Sequence, residues 1–290
     1  MQLKQTLASA VARLTANHVP SPRLNAESLL MFTLNCDRAH LYAHPERELT
    51  HDEHGRYDAA LAERARGVPT QYITGHQEFW GMDLIVSPGV LIPRPETEHV
   101  IETVLECVER VPLRQAQRKL SPASPLRIAD VGTGSGCIAL ALAKELLQAE
   151  IHASDISAAA LEVARANAAR HQLESRIKFR ETDLLAGFEN NAFDFIVSNP
   201  PYVGESEEDQ VQMEVRKFEP RDAVFAGPTG MEVITRLIPQ ARAALKPGGW
   251  LITEISGSIS EQVRQVLRDW NDVRIRPDLQ SIPRVVQARK

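Results

Sequence analysis

From Leu126 onward, short apolar runs alternate with helical patterns, and no other feature restricts the possible folds of this chain as tightly. Arg127–Val131 (RIADV), Glu150–Ser154 (EIHAS), Arg176–Glu181, Phe193–Ser198 (FDFIVS) and Trp250–Ile255 each contain Ile, Val or Phe and read as strands. Ser135–Leu147, Ala158–His171 and Thr229–Leu245 carry helical periodicity, the last stopped by Lys246-Pro247-Gly248-Gly249. Strands separated by helices pair in parallel through crossovers. The pattern therefore predicts an α/β fold with a mostly parallel, Rossmann-like sheet covered on both faces.

The first third is different. Leu3, Leu7, Ala10, Val11 and Leu14 recur at helical spacing, Ser21-Pro22 interrupts, and Ala26, Leu29, Leu30, Phe32 and Leu34 resume it. A further helix is expected over His51–Arg66, with Tyr57, Leu61 and Ala65 on one face. A small N-terminal helical bundle follows from this pattern. Gln77–Ser87 (QEFWGMDLIVS), with Gly81 at its centre, predicts a β-hairpin. Pro95 suits the first turn of a helix over Glu96–Arg110, with Glu96 and Glu98 at the positive end of its dipole. Val111–Pro125 is polar, contains Pro and Ser, and reads as an exposed connection. The expected organisation is a helical domain over 1–75, a hairpin linker over 76–92 and the α/β domain over 93–290.

Composition excludes several classes. With 33 Lys and Arg against 38 Asp and Glu, the net charge of -5 argues against a chain whose affinity comes from neutralising phosphates. The three cysteines, Cys36, Cys107 and Cys137, are scattered, with no CxxC pair, so a disulfide framework is not expected and a reducing cytoplasm is. MQLKQTLASAVARLTANHV reads as an amphipathic helix broken by Lys4 and Arg13, not as a signal peptide. The apolar run Cys137–Ala143 is too short to span a bilayer, so no membrane partner is expected. His40 with His44, and His51 with His54, have metal-compatible spacing but no third ligand nearby, so no metal site is expected.

Asp130-Val131-Gly132-Thr133-Gly134-Ser135-Gly136 ends the first strand and opens a helix. Glycines there allow positive φ and close backbone approach, beside the unpaired N–H groups of a helix start. The following strand ends at Asp155, about twenty residues on, where an acid can accept hydrogen bonds from both ribose hydroxyls of a nucleoside. Glycine loop and acid fit both a dinucleotide and S-adenosylmethionine. Asn199-Pro200-Pro201-Tyr202 directly follows FDFIVS, at the strand end where α/β sheets bind substrates. Its two prolines remove two N–H donors and leave the Pro200 carbonyl free to accept. The Asn199 side-chain oxygen is a second acceptor, and Tyr202 offers a flat face. Two acceptors beside an aromatic plane suit a planar NH2 group.

NPPY in this position resembles the amino-group methyltransferases that act on adenine N6, cytosine N4 or glutamine side chains. Glu78-Phe79-Trp80-Gly81 through Val86-Ser87-Pro88, and Leu91-Ile92-Pro93-Arg94-Pro95-Glu96-Thr97-Glu98, are similar to the HemK/PrmC family of peptide chain release factor glutamine methyltransferases. Gly227-Pro228-Thr229-Gly230-Met231, Lys246-Pro247-Gly248-Gly249-Trp250 and Asp278-Leu279-Gln280-Ser281-Ile282-Pro283-Arg284 extend the likeness over nearly the whole chain. Two departures, a longer connection around 114–125 and Gln280 where many members have alanine, lie away from the expected site.

The resemblance implies a class I methyltransferase fold and transfer of a methyl group from S-adenosylmethionine to N5 of the glutamine in the Gly-Gly-Gln motif of class 1 release factors. It implies that Asn199, Pro200 and Tyr202 are catalytic and, with Pro201, meet the substrate. Gly132, Thr133, Gly134, Ser135 and Gly136 would line the methionine end of the cofactor, Asp155 would hold the ribose, and Asp183 with Leu184 the adenine. Asn199 would also touch the cofactor, and Arg94 and Glu96 would border the pocket. The resemblance also implies a substrate-recognition role for the helical domain over 1–75. The implied partners are release factors, with no stable nucleic-acid partner. Alternatives are a ribosomal-protein glutamine methyltransferase, an adenine-N6 nucleic-acid methyltransferase and a non-catalytic S-adenosylmethionine sensor.

Overall fold

A computed structural model describes residues 1–109 and 125–290; all but the last residue of the expected Val111–Pro125 connection lies outside the described residues. The chain forms two compact units, one of residues 1–76 with 212–218, the other of residues 77–211 with 219–290.

The first unit packs α1 (Leu3–Ala16), α2 (Pro22–Leu34), α3 (Arg38–Ala43), α4 (His51–Ala65) and α5 (Thr70–Thr74) around Leu3, Leu14, Leu29, Leu30, Tyr57 and Leu61. Thr50 starts α4 with a reciprocal capping box, its hydroxyl accepting from Glu53 N while Glu53 Oε2 accepts from Thr50 N. Phe32, expected on the apolar face, is 49% exposed, because α2 turns Ala26, Leu29 and Leu30 inward instead. The short helix Met213–Phe218 belongs to this unit although it lies far along the chain. Arg64 accounts for it: the buried guanidinium donates to Asn25 Oδ1 (2.8 Å) and Val68 O (3.1 Å) and pairs with Glu214.

From Gln77 the second unit begins; β1 (His76–Phe79), whose first residue closes the helical unit, and β2 (Met82–Ile85) form the expected hairpin. Trp80 and Gly81 both take positive φ at its two-residue turn, as a type I′ turn requires. Pro95–Thr97 makes one 3-10 turn leading into α6 (Glu98–Glu109). The main sheet contains β3 (Arg127–Val131), β4 (Glu150–Asp155), β5 (Ile177–Glu181), β6 (Phe193–Ser198), β9 (Leu245–Glu254), β10 (Asn271–Pro277) and β11 (Pro283–Arg289). Its order is β10-β11-β9-β6-β3-β4-β5, parallel except that β11 runs antiparallel to β9 and β10. A small parallel pair, β7 (Val203–Gly204) with β8 (Phe225–Gly227), stands apart.

Alternate residues of each strand serve opposite cores. Ile128, Phe195 and Val197 face the layer made by α6 and α7 (Cys137–Glu145), with Ala168 of α8 (Ala158–Arg170) in the same cluster. Ala129, Val131 and Ile196 face α9 (Glu232–Ala244) and α10 (Ser260–Val266). The expected strand Trp250–Ile255 begins earlier, at Leu245. Lys246-Pro247-Gly248-Gly249 is accommodated by a register shift against β6, with Gly248 at positive φ. The chain leaves central β3 first toward β4 and β5 and then returns to β6 on its other side, so strand order reverses beside β3. Ligands bind in the crevice beyond the carboxyl ends of strands at such a reversal.

Candidate functional site

That crevice is a cleft of about 430 Å³ within the second unit. In-register pairing builds it: Val131 pairs with Ser154 on one side and Ser198 on the other, so the residues following β3, β4 and β6 emerge side by side. Gly132, Thr133, Gly134, Ser135, Asp155, Asp183, Leu184, Asn199 and Pro201 all line it.

The glycine loop is held from behind. Gly132 N and Thr133 N both donate to Ser154 O (2.8 and 2.9 Å), and Thr133 Oγ1 donates to Asp130 Oδ2 (2.6 Å). Gly132 and Gly134 have positive φ, and a Cβ built on either meets nothing within 4 Å. Their α-carbons therefore face open cleft. Gly136 differs: a Cβ there would lie 2.6 Å from Leu140 Cδ1 and 3.2 Å from Ala164 Cβ. That glycine lets α7 pack against α8 and does not line the cleft. Asp155 is oriented by backbone donors, Gly134 N to Oδ2 and Ser157 N to Oδ1, each at 2.9 Å. One lone pair per oxygen remains for a ligand. Asp183 is half-buried and ion-paired with Arg236, another lining residue. Leu184 sits at φ 52, with its carbonyl accepting from Ser154 Oγ (3.2 Å).

At the other end of the cleft, the NPPY turn divides. Asn199 and Pro201 line the cleft, whereas Pro200 is buried and Tyr202 packs against the core behind. The Tyr202 hydroxyl donates to Glu254 Oε1 (2.9 Å), Thr97 Oγ1 donates to Glu254 Oε2 (2.7 Å), and Asn199 Nδ2 donates to Thr97 Oγ1 (3.1 Å). Burial pushes the Tyr202 phenol well above its usual value, reinforced by Glu254, and burial likewise raises Glu254. Cys137, whose thiol a helix start could have activated, is pushed up to about 12 by burial and then by Asp130.

Arg94 and Glu96, expected at the rim, are replaced there by their neighbours Pro93 and Thr97. Arg94 instead pairs with the buried Glu219, which also accepts from Ile92 N (3.1 Å). Sequence reading missed Ile156, Phe225, Val233 and Arg236 in the lining, and Glu254 behind it. Two of these carried a signal: Ile156 is an isoleucine placed just after the strand-ending acid and 68% exposed, and Glu254 is a carboxylate inside an apolar strand. Among the described residues no group of three or more His, Cys, Asp or Glu is arranged to hold a metal ion, and no helix is long and apolar enough to cross a membrane.

Comparison with known proteins agrees with this architecture. Residues 5–75 match the family model described as the PrmC N-terminal domain, and residues 117–217 the one described as the methyltransferase small domain. A release factor glutamine methyltransferase of Koribacter versatilis is 55% identical over 291 residues, covering 100% of this chain and 99% of that protein. Another, of Moorella thermoacetica, is 42% identical over 92% of this chain and 90% of its own. The solved hMettl16 catalytic domain superposes with a TM-score of 0.54 at 17% identity, covering 81% of each chain, a likeness of fold alone. With full-length identity of this order, a class I methyltransferase sheet and a cleft edged by glycine loop, acid and NPPY, the chain belongs to the release factor glutamine methyltransferase family.

Proposed function

We propose that this protein transfers a methyl group from S-adenosylmethionine to the N5 amide nitrogen of the glutamine in the Gly-Gly-Gln motif of class 1 peptide chain release factors. One observation carries the reading: the open glycine cradle, Asp155 and Asn199 edge a single cleft. The cleft fits the cofactor. The α-carbons of Gly132 and Gly134 admit close approach of its methionine end, Asp155 has lone pairs for the ribose hydroxyls, and Ile156 and Leu184 are apolar surfaces beside the Asp183 carboxylate for the adenine. When bound, S-adenosylmethionine supplies an electrophilic methyl group on a sulfonium sulfur.

The residues of this chain address the acceptor. An amide nitrogen is a weak nucleophile because its lone pair is delocalised into the carbonyl. Asn199 Oδ1 and the Pro200 carbonyl accept its two hydrogens, aim the lone pair and favour the positive charge that grows on nitrogen as the N–C bond forms and the methyl–sulfur bond breaks, its electron pair staying on sulfur in the leaving S-adenosylhomocysteine. Holding acceptor and donor in line supplies much of the remaining rate. Once methylated, the nitrogen is acidic and releases its proton to solvent, so no tuned side-chain base is required. Tyr202 completes the catalytic turn, its hydroxyl anchored on Glu254. The helical unit serves to recognise the release factor, and the reaction belongs in the cytoplasm, where termination occurs.

The test is labelled methyl transfer to purified release factor, to its Gly-Gly-Gln Gln→Ala variant, to ribosomal protein and to DNA, side by side. Label is expected on the first alone, and Asn199→Ala should lower kcat by about a hundredfold or more while S-adenosylmethionine still binds. Label on DNA or ribosomal protein without label on release factor overturns the proposal.

A further inference from the structure

Glu254 is 2% exposed at the end of β9, directly after the fully buried Leu251, Ile252 and Thr253. Burying a carboxylate is costly unless its lone pairs are used. Here each oxygen accepts one hydroxyl, Oε2 that of Thr97 and Oε1 that of Tyr202. Both hydroxyls donate to it, so neither turns its proton toward the cleft.

The consequence reaches the cleft. A threonine hydroxyl has one proton, and Thr97 gives its proton to Glu254. Toward Asn199, Thr97 Oγ1 can therefore only accept, and of the two ends of the Asn199 amide only Nδ2 can donate. Nδ2 is the atom found 3.1 Å away. Asn199 Oδ1 is thereby turned from Thr97 and left as an acceptor. The reversed amide would set oxygen against oxygen at Thr97 and would offer an NH2 donor to a substrate that itself brings an NH2.

We propose that Glu254 is a positioning residue that, through Thr97, sets the hydrogen-bond polarity of Asn199 and makes the site select an NH2-bearing acceptor over a carboxylate or hydroxyl. The inference rests on the amide-methylation reading and deepens it. Glu254 touches neither substrate nor cofactor; its second oxygen holds Tyr202, so one buried carboxyl group orders both ends of the turn.

The experiment compares wild type, Thr97→Val, Thr97→Ser and Glu254→Gln in the full chain. It measures kcat on release factor at saturating S-adenosylmethionine and the Kd for S-adenosylmethionine by calorimetry. Valine keeps the shape of Thr97 but neither accepts nor donates, so kcat should fall about a hundredfold, the usual cost of a misplaced acceptor, with cofactor Kd within about twofold. Serine restores the hydroxyl and should recover most of the rate, which a purely packing role would not do. The amide introduced by Glu254→Gln has a single oxygen and can accept from only one of the two hydroxyls, so at least a tenfold loss is expected there. Equal kcat for Thr97→Val and Thr97→Ser, whether both fast or both slow, overturns the proposal, as does wild-type kcat in Glu254→Gln. A wild-type chain that binds S-adenosylmethionine yet leaves release factor unlabelled sinks the functional reading instead, and is recognised by that control alone.

Discussion

At the carboxyl end of the central strand, Asp130 is fully buried, and its Oδ2 accepts from both Thr133 Oγ1 (2.6 Å) and Ala139 N (3.1 Å). It ties the glycine loop to the start of α7. Burial pushes the carboxyl up to about 7; the two hydrogen bonds pull it back in part, and Asp155 pushes it further up. Because the folded pKa lies above the ordinary aspartate value, the folded state holds the proton more tightly than the unfolded chain. This group's contribution to stability is complete below about pH 4 and disappears as pH rises through about 7. A shift of this size corresponds to at most about 4 kcal/mol. An asparagine in place of Asp130 would keep one oxygen for both donors and carry no titrating proton. Asp130→Asn should therefore gain stability relative to wild type by a few kcal/mol between pH 4 and 8, read as the difference in urea midpoints at each pH. Parallel pH curves for the two proteins would refute a raised Asp130.

At the scale of elements, the NPPY turn is backed by the segment after β8. Gly230 takes φ 83, and a Cβ there would lie 2.5 Å from Tyr202 O and 3.1 Å from Gly204 N. Backbone meets backbone, so an alanine must displace the turn. Gly230→Ala is expected to reduce methyl transfer tenfold or more. Gly248→Ala is the control, since Gly248 has a similar φ of 79 but nothing within 4 Å of its Cβ. It should cost about 1 kcal/mol of strain with little change in rate. If both alanine variants transfer methyl equally well, the contact behind Tyr202 has no catalytic role. The same elements mark what sequence could reveal. Strand β3, the glycine loop and Asp155 were legible because each depends on local chemistry: apolar run, positive φ, acid at a strand end. Strand β10 was not, because Asn271–Pro277 carries Arg274 and Arg276 and is nowhere fully buried, and an edge strand shows little of the pattern a central strand must. The Thr97–Glu254–Tyr202 link was equally hidden, since it joins residues 157 and 52 positions apart. Glu254 could be noticed as a charge in an apolar strand, but its partners are set by the tertiary fold.

At the scale of the whole molecule, chemistry and recognition separate. Every residue lining the glycine–NPPY cleft lies in the second unit, and none in the helical unit. Removing residues 1–75 would test the division poorly, because Met213–Phe218 belongs to the helical unit and Glu214 would lose Arg64. A better variant keeps both units folded and alters exposed apolar side chains. Leu24 and Phe32 of α2 are large, exposed and outside the helical core, so Leu24→Ser with Phe32→Ser should leave the melting temperature nearly unchanged. Interface energy concentrates in a few large apolar side chains. If α2 contributes to docking, the double variant should raise KM for intact release factor about tenfold, near 1.4 kcal/mol, while kcat/KM for a short Gly-Gly-Gln peptide and the Kd for S-adenosylmethionine stay at wild-type values. The ratio of intact-protein to peptide efficiency is the quantity to follow. An unchanged ratio would mean that this face of α2 takes no part in recognition. Equal losses on peptide and intact protein would place its effect in the methyl-transfer cleft itself, against the separation described here.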